Sequence, residues 1–126
     1  MRIDRIDHVV LTVADLARTI TWYERTLGAR AVTFGEGRRA LVFGEQKLNL
    51  HQKGKEFEPK AAHPTAGSVD LCVTTHVPLD MVVAHLRSLR VRIEAGPVAK
   101  EGARGSLRSV YVRDPDGNLI EIANES

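Results

Sequence analysis

The sequence predicts an α+β fold made of two paired βαβββ modules. Short alternations of apolar and polar residues, typical of strands, surround two stretches with helical periodicity, one near residue 20 and one near residue 83. This order of patterns restarts at residue 68, and equivalent residues lie 62 positions apart: His8 matches Asp70, and Leu27 matches Leu89. At 126 residues, the chain is long enough for one domain with a substantial core.

Module 1 is assigned to residues 3–52. A strand is predicted over residues 3–13, where His8 lies on the face opposite a row of apolar side chains. Asp15 is placed to cap a helix, and Gly28 is placed to end it in a left-handed conformation. Three further strands are predicted over residues 31–34, 40–43 and 47–52.

Residues 53–67 have no periodicity and carry two prolines, so they are predicted to link the modules. Module 2 is assigned to residues 68–126, which gives a single domain over residues 1–126. It begins with a strand over residues 68–75, and Pro78 opens a helix. The remaining strands are predicted over residues 91–93, 107–112 and 119–123, with a turn at 114–117.

The composition and charge of the chain argue against several kinds of partner and site. The net charge is only +2, aromatic residues make up 5%, and the basic residues are scattered, so no nucleic-acid partner is expected. The single cysteine, Cys72, excludes an intrachain disulfide and a cysteine zinc site. No signal-peptide pattern and no apolar run of membrane-spanning length occurs, so a cytoplasmic protein without a membrane partner is expected.

Four ionisable residues occupy the first and last strands of the two modules, each opposite an apolar face: His8, His51, Asp70 and Glu121. A single histidine or carboxylate in a strand is more often solvated than bound to a metal. Four of them at matching places favour a divalent metal site, and nitrogen and oxygen donors suit Fe(II), Mn(II), Ni(II), Co(II) or Zn(II). Both interpretations stay open on the residues alone.

Two motifs resemble those of the vicinal-oxygen-chelate superfamily, which includes glyoxalase I, fosfomycin-modifying thiol transferases, bleomycin-binding proteins and extradiol dioxygenases. The opening motif is His8-x-x-Leu11-x-Val13-x-Asp15-Leu16, continuing to Trp22-Tyr23 and Leu27-Gly28. The closing motif is Asp114-Pro115-Asp116-Gly117-Asn118-x-Ile120-Glu121. Segments 49–51, 54–64 and 67–72 further resemble a poorly characterised glyoxalase-domain subfamily found in bacteria and animals.

The resemblance implies paired modules that form an open cup around a divalent metal (Zn, Ni, Mn, Co or Fe). In members of this size, a homodimer often builds each cup from both chains. The implied metal ligands are His8, His51, Asp70 and Glu121. Glyoxalase I usually has Glu at the second position and His or Glu at the third, so Asp70 either binds the metal directly, acts through water, or orients a histidine.

The implied function is a metal-dependent enzyme of glyoxalase type, a lyase or isomerase whose small-molecule substrate chelates the metal through two vicinal oxygens. Glu121 is the predicted proton-transfer residue. Two alternatives remain: an Fe(II) dioxygenase of extradiol type, and a metal-free protein that binds a drug or toxin and confers resistance. Arg39 and Arg104 are candidates for holding a substrate carboxylate or phosphate. The loop from Gly102 to Gly105 is either a lid or a mobile connection.

Overall fold

Two units of the same topology make up the protein, residues 1–67 and residues 68–126. The computed structural model describes every residue from Met1 to Ser126. The elements of unit 1 are β1 (His8–Val13), α1 (Leu16–Leu27), β2 (Arg30–Phe34), β3 (Arg38–Phe43) and β4 (Gln46–Gln52). Those of unit 2 are β5 (Asp70–Thr74), α2 (Leu79–Ser88), β6 (Ala95–Glu101), β7 (Ser106–Arg113) and β8 (Leu119–Glu125). The predicted duplicated βαβββ fold is confirmed.

Each unit contains one mixed four-stranded sheet. The strand order is β1-β4-β3-β2 in unit 1 and β5-β8-β7-β6 in unit 2. The first strand pairs in parallel with the last in both units, and the other pairs are antiparallel. The strands that carry the predicted site residues are therefore neighbours within each sheet.

The core of each unit lies between its helix and one face of its sheet. In unit 1 the buried residues of this layer are Leu11, Val13, Leu41, Leu48 and Leu50, with Ile20 and Tyr23 from α1. In unit 2 they are Val110, Val112, Ile120 and Ile122, with Leu79, Val82 and Leu86 from α2. Side chains alternate along a strand, so the residues between these point to the opposite face, where the predicted site residues lie.

Local signals in the sequence place helix α1 correctly. The Asp15 side chain accepts a hydrogen bond from the Arg18 amide at 3.1 Å and so caps the first turn. Gly28 ends the helix with a φ of 68°, a left-handed conformation that costs glycine little.

Neither helix of the protein has the length and apolar character needed to cross a membrane.

One amide side chain in each unit joins the end of the last strand to the segment between the first strand and the helix. In unit 1, Gln52 accepts from the Leu16 amide at 3.1 Å and donates to the Ala14 carbonyl. In unit 2, Asn124 donates to the carbonyls of Thr75 and Val77, both at 2.9 Å. The duplication therefore extends to the hydrogen bonds that fix each helix against its sheet.

The predicted start of the first strand and the predicted strand over residues 91–93 are both wrong. Strand β1 begins at His8 rather than at residue 3, and residues 1–7 have no regular structure. The Val91 amide instead bonds to the Leu86 carbonyl at the end of α2, and β6 begins later, at Ala95. A Gly-Pro pair is typical of a turn, but Gly96-Pro97 lies within strand β6. The register between β6 and β7 shifts at this pair. A Cβ on Gly96 would lie 2.3 Å from the Ser109 carbonyl oxygen, so the close approach of β6 to β7 requires glycine.

The backbone at Arg90 generates a prediction about stability. Arg90, just after α2, is the only residue other than glycine with a positive φ, 58°. This conformation costs an L-residue about 1 kcal/mol. We expect Arg90→Gly to raise the free energy of unfolding, measured by urea denaturation, by about 0.5–1 kcal/mol.

Arg87→Gly is the matched control, because Arg87 lies within α2. There glycine is expected to lower the free energy of unfolding by about 0.5–1 kcal/mol. Equal destabilisation by both substitutions would show that the left-handed backbone at Arg90 carries no cost.

Candidate functional site

The polar face of unit 1 is built on strands β1, β4 and β3. In the parallel pair β1–β4, His8 stands beside Lys47, and Thr12 stands beside His51. His8 and His51 therefore share a face but lie four residues apart along the strands, roughly 13 Å at about 3.3 Å per residue. The structure places these two predicted ligands on one surface without bringing them together.

His8 forms a carboxylate–imidazole pair with its neighbour Asp7. Its Nδ1 lies 2.8 Å from the Asp7 Oδ1, and the His8 side chain is 43% exposed. The hydrogen bond with His8 lowers the pKa of Asp7, which keeps this carboxylate ionised. When Nδ1 donates to Asp7, Nε2 carries a free lone pair. A carboxylate on one ring nitrogen is the usual partner of a histidine that binds metal through the other.

His51 has different surroundings. The residue is only 2% exposed, its ring packs edge-on against Phe57 at 5.7 Å, and its Nε2 lies 3.4 Å from an Arg38 nitrogen. Burial, followed by the charge of Arg38, lowers the pKa of His51, so the imidazole is neutral at pH 7. Because its Nε2 faces a guanidinium, His51 is less suited than His8 to a cation. Its assignment as a metal ligand stays a prediction.

Asn49 is a polar residue on this face that the sequence analysis did not single out. It lies on β4 between Lys47 and His51 in the alternation, beside Val10 of β1. The residue is 5% exposed, and its Oδ1 is buried without a hydrogen-bond partner. Burying an amide oxygen without a hydrogen-bond donor lowers the stability of the fold, unless a group of a ligand donates a hydrogen bond to it. An asparagine between two leucines gives no signal of this kind in the sequence.

The arginine on the polar face of unit 1 is Arg38 rather than the predicted Arg39. Arg39 stands opposite Leu50 in the β3–β4 pair, so it points to the helix-covered face, where its Nε is buried without a partner. Arg38 points the other way and contacts His51. The contact between Arg39 and a substrate stays a prediction. Of the two arginines, Arg38 is the one whose side chain lies on the polar face.

In unit 2, Glu121 lies at the centre of the polar face. Across the sheet it stands beside Cys72 of β5 and Tyr111 of β7. Its Oε2 accepts a hydrogen bond of 2.6 Å from the Ser109 hydroxyl. Cys72 and Tyr111 face Glu121, and burial together with this carboxylate raises the pKa of both groups. The Ser109 hydroxyl therefore orients the carboxylate, with two further uncharged side chains beside it.

An open cleft of about 630 Å³ lies against this carboxylate. It is lined by Cys72, Glu121 and the turn after β6, including Gly102 and Arg104. The predicted loop from Gly102 to Gly105 thus adjoins Glu121, as a lid over the site would. Arg104 makes two hydrogen bonds, of 2.9 and 3.1 Å, to one oxygen of Glu125, so its guanidinium is already paired in the cleft.

Asp70 shares the polar face of unit 2 with Glu121. It stands beside Leu119, two residues from the Cys72–Glu121 pair along β5, and it is exposed. Its charge acts on Cys72, Tyr111 and Arg113. The structure gathers no cluster of three or more His, Cys, Asp or Glu side chains at metal-binding distance. The four-ligand set stays a prediction from the resemblance.

Comparison with known proteins identifies the family. A family model described as the Glyoxalase/Bleomycin resistance protein/Dioxygenase superfamily matches residues 5–122. The chain belongs to this superfamily. The resemblance inferred from the opening and closing motifs is thereby confirmed.

Three relatives illustrate the range of similarity. Virulence protein STM3117 of Salmonella typhimurium is 56% identical over 123 residues, covering 98% of this chain and 85% of that protein. Its crystal structure matches with a TM-score of 0.98 at 55% identity over the whole of both chains. Glyoxalase domain-containing protein RDO1 of Mycosarcoma maydis is 51% identical over 119 residues, covering 94% of this chain and 67% of that protein. The fosfomycin resistance protein FosX of Listeria monocytogenes, solved with Mn(II) and a dihydroxypropylphosphonic acid, shares the fold at 17% identity, with a TM-score of 0.66 over 97% and 90% of the two chains.

The contact between Cys72 and Glu121 can be tested by thiol chemistry. Burial and the Glu121 carboxylate raise the pKa of Cys72 to about 11, so at pH 8 about one thiol in a thousand is ionised. We expect Cys72 to react with an alkylating reagent roughly a hundredfold more slowly than an ordinary exposed thiol.

Glu121→Gln removes the neighbouring negative charge and should speed the alkylation of Cys72 several-fold. Glu101→Gln is the control, because Glu101 lines the same cleft without bonding to the thiol. An unchanged rate in the Glu121 variant would show that the carboxylate does not act on Cys72.

Proposed function

We propose that the protein is a metal-dependent enzyme of glyoxalase type, a lyase or isomerase whose small-molecule substrate binds a divalent metal through two vicinal oxygens. The observation that carries this proposal is the setting of Glu121, whose carboxylate borders an open cleft and accepts from Ser109 at 2.6 Å. Membership of the glyoxalase superfamily supports the reaction class. The Mn(II) bound to FosX supports a divalent metal.

The donors in each unit suit such a metal to different degrees. His8 offers Nε2 while Asp7 holds its other nitrogen at 2.8 Å, and this arrangement fits a metal ligand. Glu121 and Asp70 offer carboxylate oxygens on the polar face of unit 2. His51 fits less well because its Nε2 faces Arg38. When bound, the metal would supply Lewis-acid polarisation of the two substrate oxygens.

Glu121 is the proposed proton carrier. A carboxylate that abstracts a proton from carbon needs a fixed orientation, and the hydrogen bond from Ser109 provides it, with Tyr111 and Cys72 beside it on the same sheet face. The hydroxyl of Ser109 carries no charge, and Cys72 and Tyr111 are uncharged at pH 7, since their pKa values are raised from ordinary values that already lie above 7. No ammonium or guanidinium is paired with Glu121.

The experiment uses full-length protein stripped of metal and reloaded in parallel with Ni(II), Mn(II), Co(II), Zn(II) and Fe(II). Isomerisation of the hemithioacetal formed by methylglyoxal and glutathione is measured by absorbance. We expect turnover with at least one ion and a loss of about 10²–10⁴-fold in kcat for Glu121→Gln. Glu24→Gln, an exposed position on α1, is the control and should keep full activity.

Two outcomes would overturn the proposal. If protein that is shown to bind metal gives no turnover with any ion, glyoxalase activity on the hemithioacetal of methylglyoxal and glutathione is excluded. Oxygen consumption by the Fe(II)-loaded protein with a catechol would assign it to the dioxygenases instead.

A further inference from the structure

A second cleft of unit 2 lies where helix α2 ends and strand β6 begins. Its volume is about 440 Å³, which is within the range of small-molecule sites. It shares no lining residue with the cleft beside Glu121, so the proposed function does not use it. Its lining combines apolar side chains with guanidinium groups, and includes Val83, Ile93, Pro97, Arg87, Arg90 and Arg92.

The three arginines of this cleft are exposed, and none of them takes part in any of the salt bridges of the chain. No acidic side chain is among the lining residues. Arg92 acts on the nearby Glu94 carboxylate, but both oxygens of that carboxylate are bonded to Arg113, at 2.9 and 3.1 Å. The cleft therefore offers accessible guanidinium groups that no carboxylate of the protein binds.

The main chain at the end of α2 does not bind these side chains either. Arginines near a helix C-terminus often donate to the last carbonyls. Here backbone amides take those carbonyls: the Val91 amide donates to Leu86 at 2.9 Å, and the Arg90 amide donates to Arg87 at 3.0 Å. The guanidinium groups are therefore left to the cleft.

Arg90 occupies a backbone position that favours glycine. The two amide bonds close the helix around a residue in the left-handed conformation, and at this position glycine is usual. Arg90 adopts it with a φ of 58°, at a cost in stability. Strain of this kind is found at ligand sites, where the side chain has a use that offsets it, and the Arg90 side chain lines the cleft.

We propose that this cleft binds a phosphate monoester that has an apolar body. The phosphate lies against the guanidinium groups, and the apolar body lies on Val83, Ile93 and Pro97. A phosphate monoester carries about two negative charges and three strong acceptor oxygens. Guanidinium groups bind such oxygens in pairs, and several of them match a dianion better than a single carboxylate. This site is independent of the proposed function.

The test uses the full-length protein and phenyl phosphate as the probe. Binding is followed by the backbone amide NMR signals of residues 87–96. Inorganic phosphate, which lacks the apolar body, and phenol, which lacks the charge, are titrated in the same way. We expect saturable shifts with phenyl phosphate, about tenfold weaker binding of inorganic phosphate because burial of the ring is lost, and no saturation with phenol.

Arg90→Gly separates ligand binding from stability. It relaxes the left-handed backbone, so the free energy of unfolding should rise, yet it removes a guanidinium and should weaken phenyl phosphate binding about fivefold. Unfolding cannot explain a loss of binding in a more stable protein.

Arg92→Met should weaken binding by a similar factor, and Arg92→Lys should restore part of it, because the charge is retained. Lys100→Met is the matched control, because it removes a positive charge from β6 outside the cleft. It should bind phenyl phosphate as the unaltered protein does.

The ester has two possible sources, a free metabolite or a lipid headgroup. Cosedimentation with phosphatidylcholine vesicles, with and without phosphatidic acid, distinguishes them. Sedimentation that requires phosphatidic acid would assign the site to a lipid, and none would assign it to a free ester.

Four results would overturn the inference. They are the absence of saturable shifts with phenyl phosphate, equally tight binding of inorganic phosphate, undiminished binding by Arg90→Gly or Arg92→Met, and a loss in Lys100→Met as large as that in Arg92→Met. The last result would show a response to net charge alone.

Discussion

The pairing of the first strand with the last in each unit is the constraint on which the rest of the structure depends. A parallel pair such as β1–β4 or β5–β8 needs a crossover connection, and α1 or α2 belongs to that connection and covers one face of the sheet. Gln52 and Asn124 reinforce it by bonding the end of the last strand to the start of the helix. Because one face is committed to the helix, all polar chemistry is directed to the other.

The two polar faces differ in charge. In unit 1, the neutral His51, the cations Arg38 and Lys47 and the Asn49 amide share one face, and His8, paired with Asp7, stands beside Lys47. In unit 2, Glu121 accepts a hydrogen bond from the uncharged Ser109 hydroxyl beside an open cleft. The first face therefore carries basic side chains, and the second carries a carboxylate at a cleft.

Patterns that act over a few residues predicted the structure well. Asp15 and Gly28 bound α1 as expected, since capping depends only on the adjacent backbone. Alternation identified the face of His8 and Glu121, and it separates Arg38, on the polar side, from Arg39, which points to the helix. Strand β6 begins at Ala95, after the strand predicted over residues 91–93, and a register shift and the approach of β7 keep Gly96-Pro97 within it.

The sequence by itself determined the duplicated βαβββ architecture, the superfamily, and the strands that carry His8, His51, Asp70 and Glu121, because periodicity and motif spacing are properties of the chain alone. Only the tertiary structure decided the surroundings of those residues. The contact of His51 with Arg38, the hydrogen bond from Ser109 to Glu121 and the unsatisfied oxygen of Asn49 depend on residues of different strands. The register between strands sets these contacts, and register depends on the packing of whole sheets rather than on local sequence.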